Sequence, residues 1–440
     1  MAPQPCRPDG CRMNAHLPAG PLHSANITPL ARLDIPGGGE VVVKDGYAFI
    51  GHMSPPLGTS IYDVRDPARP RLVAALAPPN GYSHTHKVKV AGDLMITNVE
   101  RHRRHFYRKG ERIEAVTGEL TARLGRVPTP DEIAQLLGVT TDELADLRAG
   151  LLRGYGEGGF RVWDIGDPAN PRELAYVRTG GIGVHRFDMD ERYAYISTEM
   201  DGYVGNILVI YDLADPTRPR EVSRWHLPGQ HVAGGETPAW PGQRHRLHHA
   251  LRVGDVMWAS CWYAGAYAID VSDIARPRTL GSFNYHPPFP EPTHTFFRLA
   301  SPIAGRDIAL MIDEEHDHVP GQPHAFLWVM DAADPTAVRP LSTFHLSQTD
   351  SPYARAGGRF GAHQFQERQV GSLVFATWFA GGLRVIDLAA PESPREVGYF
   401  IPQPANGHAS PQSNDVDVDG RGIVYVIDRD RGFDIFAFKG

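Results

Sequence analysis

One motif recurs six times along the chain and narrows the folds open to it. IYDVRDPARPRLV (61–73), VWDIGDPANPREL (162–174), IYDLADPTRPREV (210–222) and AIDVSDIARPRTL (268–280) are followed by VMDAADPTAVRPL (329–341) and VIDLAAPESPREV (385–397). Each reads as a β-branched strand, a D-P-x-x-P turn and a second strand; Asp before Pro initiates a turn, and the second Pro fixes φ where the next strand begins. Upstream of each unit lie two more alternating runs joined by a tight turn, such as HKVKVAGDLMITNV (86–99) and HRFDMDERYAYIST (185–198). Four antiparallel strands per repeat make a propeller blade.

A seventh set, NDVDVDGRGIVYVIDR (414–429) with FDIFAFKG (433–440), stops after three strands. NITPLARLDI (26–35) imitates a fourth, so N-terminal sequence is expected to close the ring and leave no open edge. The predicted fold is all-β, a seven-bladed β-propeller over 26–440. A leader over 1–25 is expected to be flexible, and a helical insertion over 101–158 to interrupt blade 2. Within that insertion Thr129-Pro130-Asp131-Glu132 is a capping box with Pro at the first helical position, Gly138 ends the helix, and Thr140 to Glu143 opens another.

The repeat resembles that of the LVIVD-repeat β-propeller family, over nearly all of the chain outside the leader and the insertion. That resemblance implies the fold and no single activity. More distantly, the architecture is similar to the selenium-binding protein and methanethiol oxidase group, with no motif that transfers residue by residue. The string GRVPTPDEIAQLLGVTTDELADL resembles helical region 3 of bacterial sigma factors. The insertion nevertheless carries 10 basic against 9 acidic residues, which argues against DNA binding and for a lid or a homodimer contact.

Histidine recurs at the start of the innermost strands. Aligning these by apolar alternation puts His86, His185, His249, His294 and His363 at one position in five of seven blades, with Gly39 and Asn414 in the other two. Innermost strands line the central channel, so a histidine ring is expected at one depth, holding one transition-metal ion. Imidazoles with few oxygen ligands suit Fe, Cu, Zn or Ni rather than Ca or Mg. Glu100, Glu199 and Glu314 end the second strands of blades 2, 3 and 5, and are expected behind the ring as His86–Glu100, His185–Glu199 and His294–Glu314 pairs. The alternatives are an inherited, hydrogen-bonded structural ring and solvated glutamates. Iron sites of four histidines and three glutamates are found in carotenoid-cleaving oxygenases, a comparison of architecture alone.

Long connections at 101–158, 226–247, 342–361 and 402–413 all fall on the histidine face, where binding is expected. Arg186 and His408 are the candidate catalytic residues there. His316 and His318 read as part of a flexible acidic loop or a second metal site, and Trp258, Trp262 and Trp378 as blade packing. The sequence contains no Gly-x-Ser-x-Gly elbow, phosphate loop or dinucleotide fingerprint.

Bulk composition bounds the rest. A net charge of −7 argues against nucleic acid as a partner. Three cysteines cannot build a disulfide framework, and no run is long and apolar enough for a membrane span, so a cytoplasmic protein without a membrane partner is expected. The expected function is a metal-dependent oxidoreductase (oxidase or oxygenase) acting on a small organic molecule. A non-redox metal-assisted lyase, isomerase or hydrolase is the first alternative, and a non-catalytic propeller scaffold the second.

Overall fold

Six D-P-x-x-P-like turns and alternating strands build the same unit six times, and a seventh is completed from the two ends of the chain. A computed structural model describes residues 18 and 20–440, except 243, 317, 319 and 320. Among these, strand pairings define seven four-stranded antiparallel blades, each running from an innermost strand A to an outermost strand D. Blade 1, for example, comprises Gly38–Lys44, Tyr47–His52, Thr59–Asp63 and Arg71–Leu76. Between blades, alternate side chains interlock into continuous apolar layers; one contains Leu251, Leu310, Val374 and Trp378, all buried.

The repeated residues outside the strands have a local task. Asp66, Asp167, Asp215, Asp273 and Asp334 each accept a hydrogen bond from the backbone N–H two residues on, which fixes the turn. The Asp ending strand C pairs with the Arg eight residues later, as in Asp63–Arg71, Asp164–Arg172, Asp212–Arg220, Asp270–Arg278 and Asp331–Arg339. These arginines are largely exposed, so the pairs set the register more than they stabilise it.

Ile27–Pro36 closes the ring as the fourth strand of blade 7, with Ile27 opposite Phe438 and Leu33 opposite Phe433. Arg32 clasps Asp434 across this seam at 3.0 Å. Part of the expected leader is ordered: Leu22–His23 adds a fifth strand to blade 6, with Leu22 opposite Ile401. Residues 1–17 of the leader, with Cys6 and Cys11, lie outside the described residues.

The insertion in blade 2 folds as four helices, α1 (Arg104–Gly110), α2 (Ile113–Leu124), α3 (Pro130–Leu137) and α4 (Thr141–Arg153). Both capping boxes form, on Thr129 with Glu132 and on Thr140 with Glu143, and Gly138 closes α3 at φ 64°. Val116, Leu120, Ile133, Leu137 and Leu144 give the insertion its own core. Gly150 of α4 is pressed against the Tyr107 ring so closely that a Cβ there would stand 2.6 Å from it, which locks α4 to α1. Among the described residues, no helix is long and apolar enough to cross a membrane.

Candidate metal centre

Innermost strands do not run regularly into the channel. The A–B pairing skips a residue at the same place in six blades, between Gly38 and Glu40, Val184 and Arg186, Thr293 and Thr295, Ala362 and Gln364, Ser413 and Asp415, and over 246–248 in blade 4. In blade 2 the strand breaks between Ser83–His84 and Val88–Ala91. A bulge places two successive residues opposite one and re-aims their side chains. Each blade therefore offers one residue to an upper layer and the next to a lower one. The upper layer is Gly39, His86, His185, His248, His294, His363 and Asn414. The lower is Glu40, Lys87, Arg186, His249, Thr295, Gln364 and Asp415.

This register corrects the expected ring at blade 4. His248, not His249, joins the upper layer, because residues 246–248 fall outside the pairing, which resumes with His249 opposite Ser260. His249 sits below, with Nδ1 3.3 Å from Glu367, and is fully buried. Arg186, expected to be catalytic, also belongs to the lower layer. It is 1% exposed and is held by Glu367 at 2.6 Å and Glu40 at 3.5 Å, out of reach of the upper cavity. His408 does line the mouth, where it pairs with Asp430 at 3.1 Å.

The upper imidazoles form a continuous arc. Ring centroids are 5.4 Å apart for His86 and His185, 4.9 Å for His185 and His248, 4.2 Å for His248 and His294, and 4.4 Å for His294 and His363. His84, from the same SHTHKV string, stacks on His86 at 4.1 Å. The arc borders a cavity of about 440 Å³. Burial, reinforced by neighbouring imidazoles or cations, pushes His86, His185, His248 and His294 well below the usual histidine range, and burial does the same to His363. The five are thus neutral near pH 7, the form that ligates metal.

Hydrogen bonds fix which nitrogen faces inward on two of them. A carbonyl oxygen only accepts, so His248 donates from Nδ1 to the His294 carbonyl (2.6 Å) and His363 from Nδ1 to the Asn414 carbonyl. That makes each Nε2 a lone pair: His363 Nε2 faces Glu314, and His248 Nε2 accepts from His185 Nε2 at 3.1 Å, a bond that a metal ion at His248 would replace. In both cases the carbonyl belongs to the next blade at the same bulge. Glu314 stands among the inner nitrogens, 3.9 Å from His294 Nε2 and 3.8 Å from His363 Nε2. Ligand atoms of His248, His294 and Glu314 all lie within 4.8 Å of one another, as do those of His84, His86 and Glu100. Ligands bound at about 2.1 Å around one ion stand roughly 3–4 Å apart, so both groups fit a transition metal with little movement.

The glutamates divide differently from expectation. Glu314 stands by His294 as expected and also accepts from Arg359 at 2.7 Å. Glu100 lies 3.8 Å from His86 but is closer to His84 (3.0 Å), His185 (3.2 Å) and Arg104 (2.5 Å). Its Oε1 is buried without a hydrogen-bond partner, an oxygen that a cation would satisfy. Burial would raise the Glu100 carboxyl, but Arg104 and His185 outweigh it and hold it well below the usual range. The expected His185–Glu199 pair does not form. Glu199 turns outward to Arg108 and accepts from the Ile182 N–H, because Gly181 and Gly183 bend the start of that strand at positive φ.

Helix α1 covers part of the mouth: Arg104 reaches both Glu100 and His185 Nδ1 (2.6 Å), and His105 borders the cavity. Trp262 is also a wall of the site, edge-on to His248 and to His316 at 5.4 and 4.8 Å. Trp258 and Trp378 pack between adjacent blades, against Phe296 and Phe344. His316 lies 3.4 Å from Glu314, whereas His318 stacks on His324 beside Glu315 in a separate cluster.

Strands and closure define a β-propeller. Solved structures agree at the level of fold: the β-propeller domain of Myceliophteria thermophila Cps50 (Swd1) aligns at 11% identity and TM-score 0.55, over 94% of this chain and 99% of that one. The C-terminal WD40 domain of Sif2 aligns at 9% and 0.52, over 94% and 99%, and a chain of a mitotic checkpoint complex at 10% and 0.52, over 94% and 96%. No protein-family model and no curated protein matches the sequence. Likeness to LVIVD repeats therefore rests on the repeated residues alone.

Proposed function

We propose that the chain is a metal-dependent enzyme in which His248, His294, His363 and Glu314 hold one transition-metal ion at the upper layer of the channel. The observation that carries this reading is the convergence of carbonyl-oriented imidazoles on a buried carboxylate: metal-bound histidines donate their outer N–H to just such oxygens. Three nitrogens and one oxygen suit Fe, Cu, Zn or Ni. The cavity beside them leaves room for a small organic molecule, and a bound ion there would polarise it or carry electrons. Among metal chemistries we favour an oxidase or oxygenase, since histidine-rich sites serve redox metals; non-redox lyase, isomerase or hydrolase chemistry uses the same ligands.

Fold likeness alone supports the second reading more directly, a scaffold that binds a partner on its loop-rich face. One similar propeller is a component of a mitotic checkpoint complex. Metal analysis by plasma mass spectrometry on untagged protein separates the two. Near-stoichiometric Fe, Cu, Zn or Ni is expected in the natural protein, lost in the His248→Ala/His294→Ala variant and retained in His249→Gln. No metal after reconstitution with each ion in turn would sink the enzyme reading and favour the scaffold. Oxygen uptake by the metal-loaded protein then tests the redox assignment.

A further inference from the structure

Cations on the histidine face are not all matched by carboxylates. Arg104, Arg108 and Arg359 face Glu100, Glu199 and Glu314 respectively. Arg429 borders the main cavity beside His363 and Glu314, yet among the described residues it has no carboxylate within the 4.0 Å of an ion pair. Its one side-chain hydrogen bond runs from Nη1 to Asn414 Oδ1 at 3.2 Å. Lys87, of the lower layer, also borders this cavity; it gives its ammonium to the Gly39 carbonyl at 2.7 Å and has no ion pair among the described residues. In an adjoining cavity that shares His105, Arg246 lies over Trp262 at 4.5 Å, with no hydrogen bond or ion pair from its guanidinium among the described residues. Among the described residues no carboxylate lines that adjoining cavity.

We propose that the molecule taken into the histidine cavity is a small carboxylate anion, its carboxylate held by the Arg429 guanidinium. This rests on the cavity being the working site, as argued above. Arg429 is half-buried at the cavity wall, and of its five N–H donors the described residues occupy one, so the rest are open to an anion in the cavity. Its planar fork matches a carboxylate with two parallel N–H···O bonds, which a lysine cannot reproduce. Among the described residues no carboxylate takes that place: Glu314 is engaged by Arg359, and Asp430, the adjacent residue, by His408. Arg246 and Arg244, beside the mouth, extend the positive wall outward along the approach.

Calorimetric titration tests this with acetate, pyruvate and benzoate against acetamide and inorganic phosphate, on metal-loaded and metal-free protein. At least one carboxylate should bind, acetamide should not, and Arg429→Gln should weaken binding by about tenfold or more. Arg429→Lys should recover part of that loss, with melting temperature and metal content unchanged in both variants. Equal binding of acetamide, binding of phosphate without any carboxylate, undiminished carboxylate binding in Arg429→Gln, or no binding by any probe would each overturn the proposal. Failure of the metal reading is seen separately: a protein that takes up no metal but binds carboxylates through Arg429 loses the first reading and keeps this one.

Discussion

Replacing Arg186 with methionine tests whether the lower layer is a matched set of charges. Arg186 is fully enclosed, 2.6 Å from Glu367 and 3.5 Å from Glu40, with Nε 3.4 Å from His249. Lys89 also meets both carboxylates. Burial would raise the Glu367 carboxyl, but Lys89, His249 and Arg186 outweigh it and keep the group ionised. Removing one partner of a buried pair costs about 3–5 kcal/mol, chiefly because the remaining charge is stranded. Lys89 stays to compensate part of it, so about 3 kcal/mol is expected for Arg186→Met. With an m-value near 3 kcal/mol/M, that lowers the urea midpoint by roughly 1 M. Methionine fills similar volume, so a cavity contributes little. Adding Glu367→Gln removes the stranded charge and should restore at least half of the loss. A single variant costing under about 1 kcal/mol, or a double variant that loses the full sum of the two singles, would refute the matched-charge reasoning.

Three further outcomes follow from the geometry. Burial raises Asp434 to about 6 from 3.8 despite Arg32, so the folded state holds a proton that the unfolded chain has released. This contribution to stability is complete below pH 3.8 and is lost as pH rises towards 6; Asp434→Asn should flatten that part of a stability-versus-pH curve measured by urea unfolding. Thr129→Ala removes the α3 cap and should cost about 1 kcal/mol, seen as faster hydrogen exchange confined to α3 and α2. Arg108→Ala cuts the tie from α1 to Glu199, and faster exchange over residues 104–110 with no change in the blades is the expected readout.

Much of the fold was legible because it is written redundantly. Turn chemistry, strand alternation and the missing fourth strand of blade 7 each point to one closed ring, and Ile27–Pro36 completes it. The helical caps were equally readable, since Thr129 and Thr140 carry their whole motif locally. Bulges, by contrast, leave no local mark. LHHAL offers two histidines, and period-two alternation counted upward from the apolar core selects His249; the skipped residue selects His248. The same slip turns Arg186 away from the cavity. Helix α1 begins at Arg103 in a left-handed conformation (φ 55°) with no side-chain cap, so nothing local announced that Arg104 would reach Glu100 and His185. Pairings across blades, such as Glu100 with His185, depend on ring geometry that no single repeat encodes.

The bulge at the head of six of the seven innermost strands has an evolutionary consequence. The skipped residue lies outside the ladder pairing, so replacing His185 by another type need not break a strand, although Gly39 is hemmed in by His86 and Asn414 is tied to the Gly38 and Gly39 carbonyls of blade 1. Duplicating a blade then copies a spare position facing the channel, and point mutation can rewrite it afterwards, one blade at a time. Such positions recur around one cavity, so reactivity in this architecture can drift while the interlocked β-layers that hold it stay as they were.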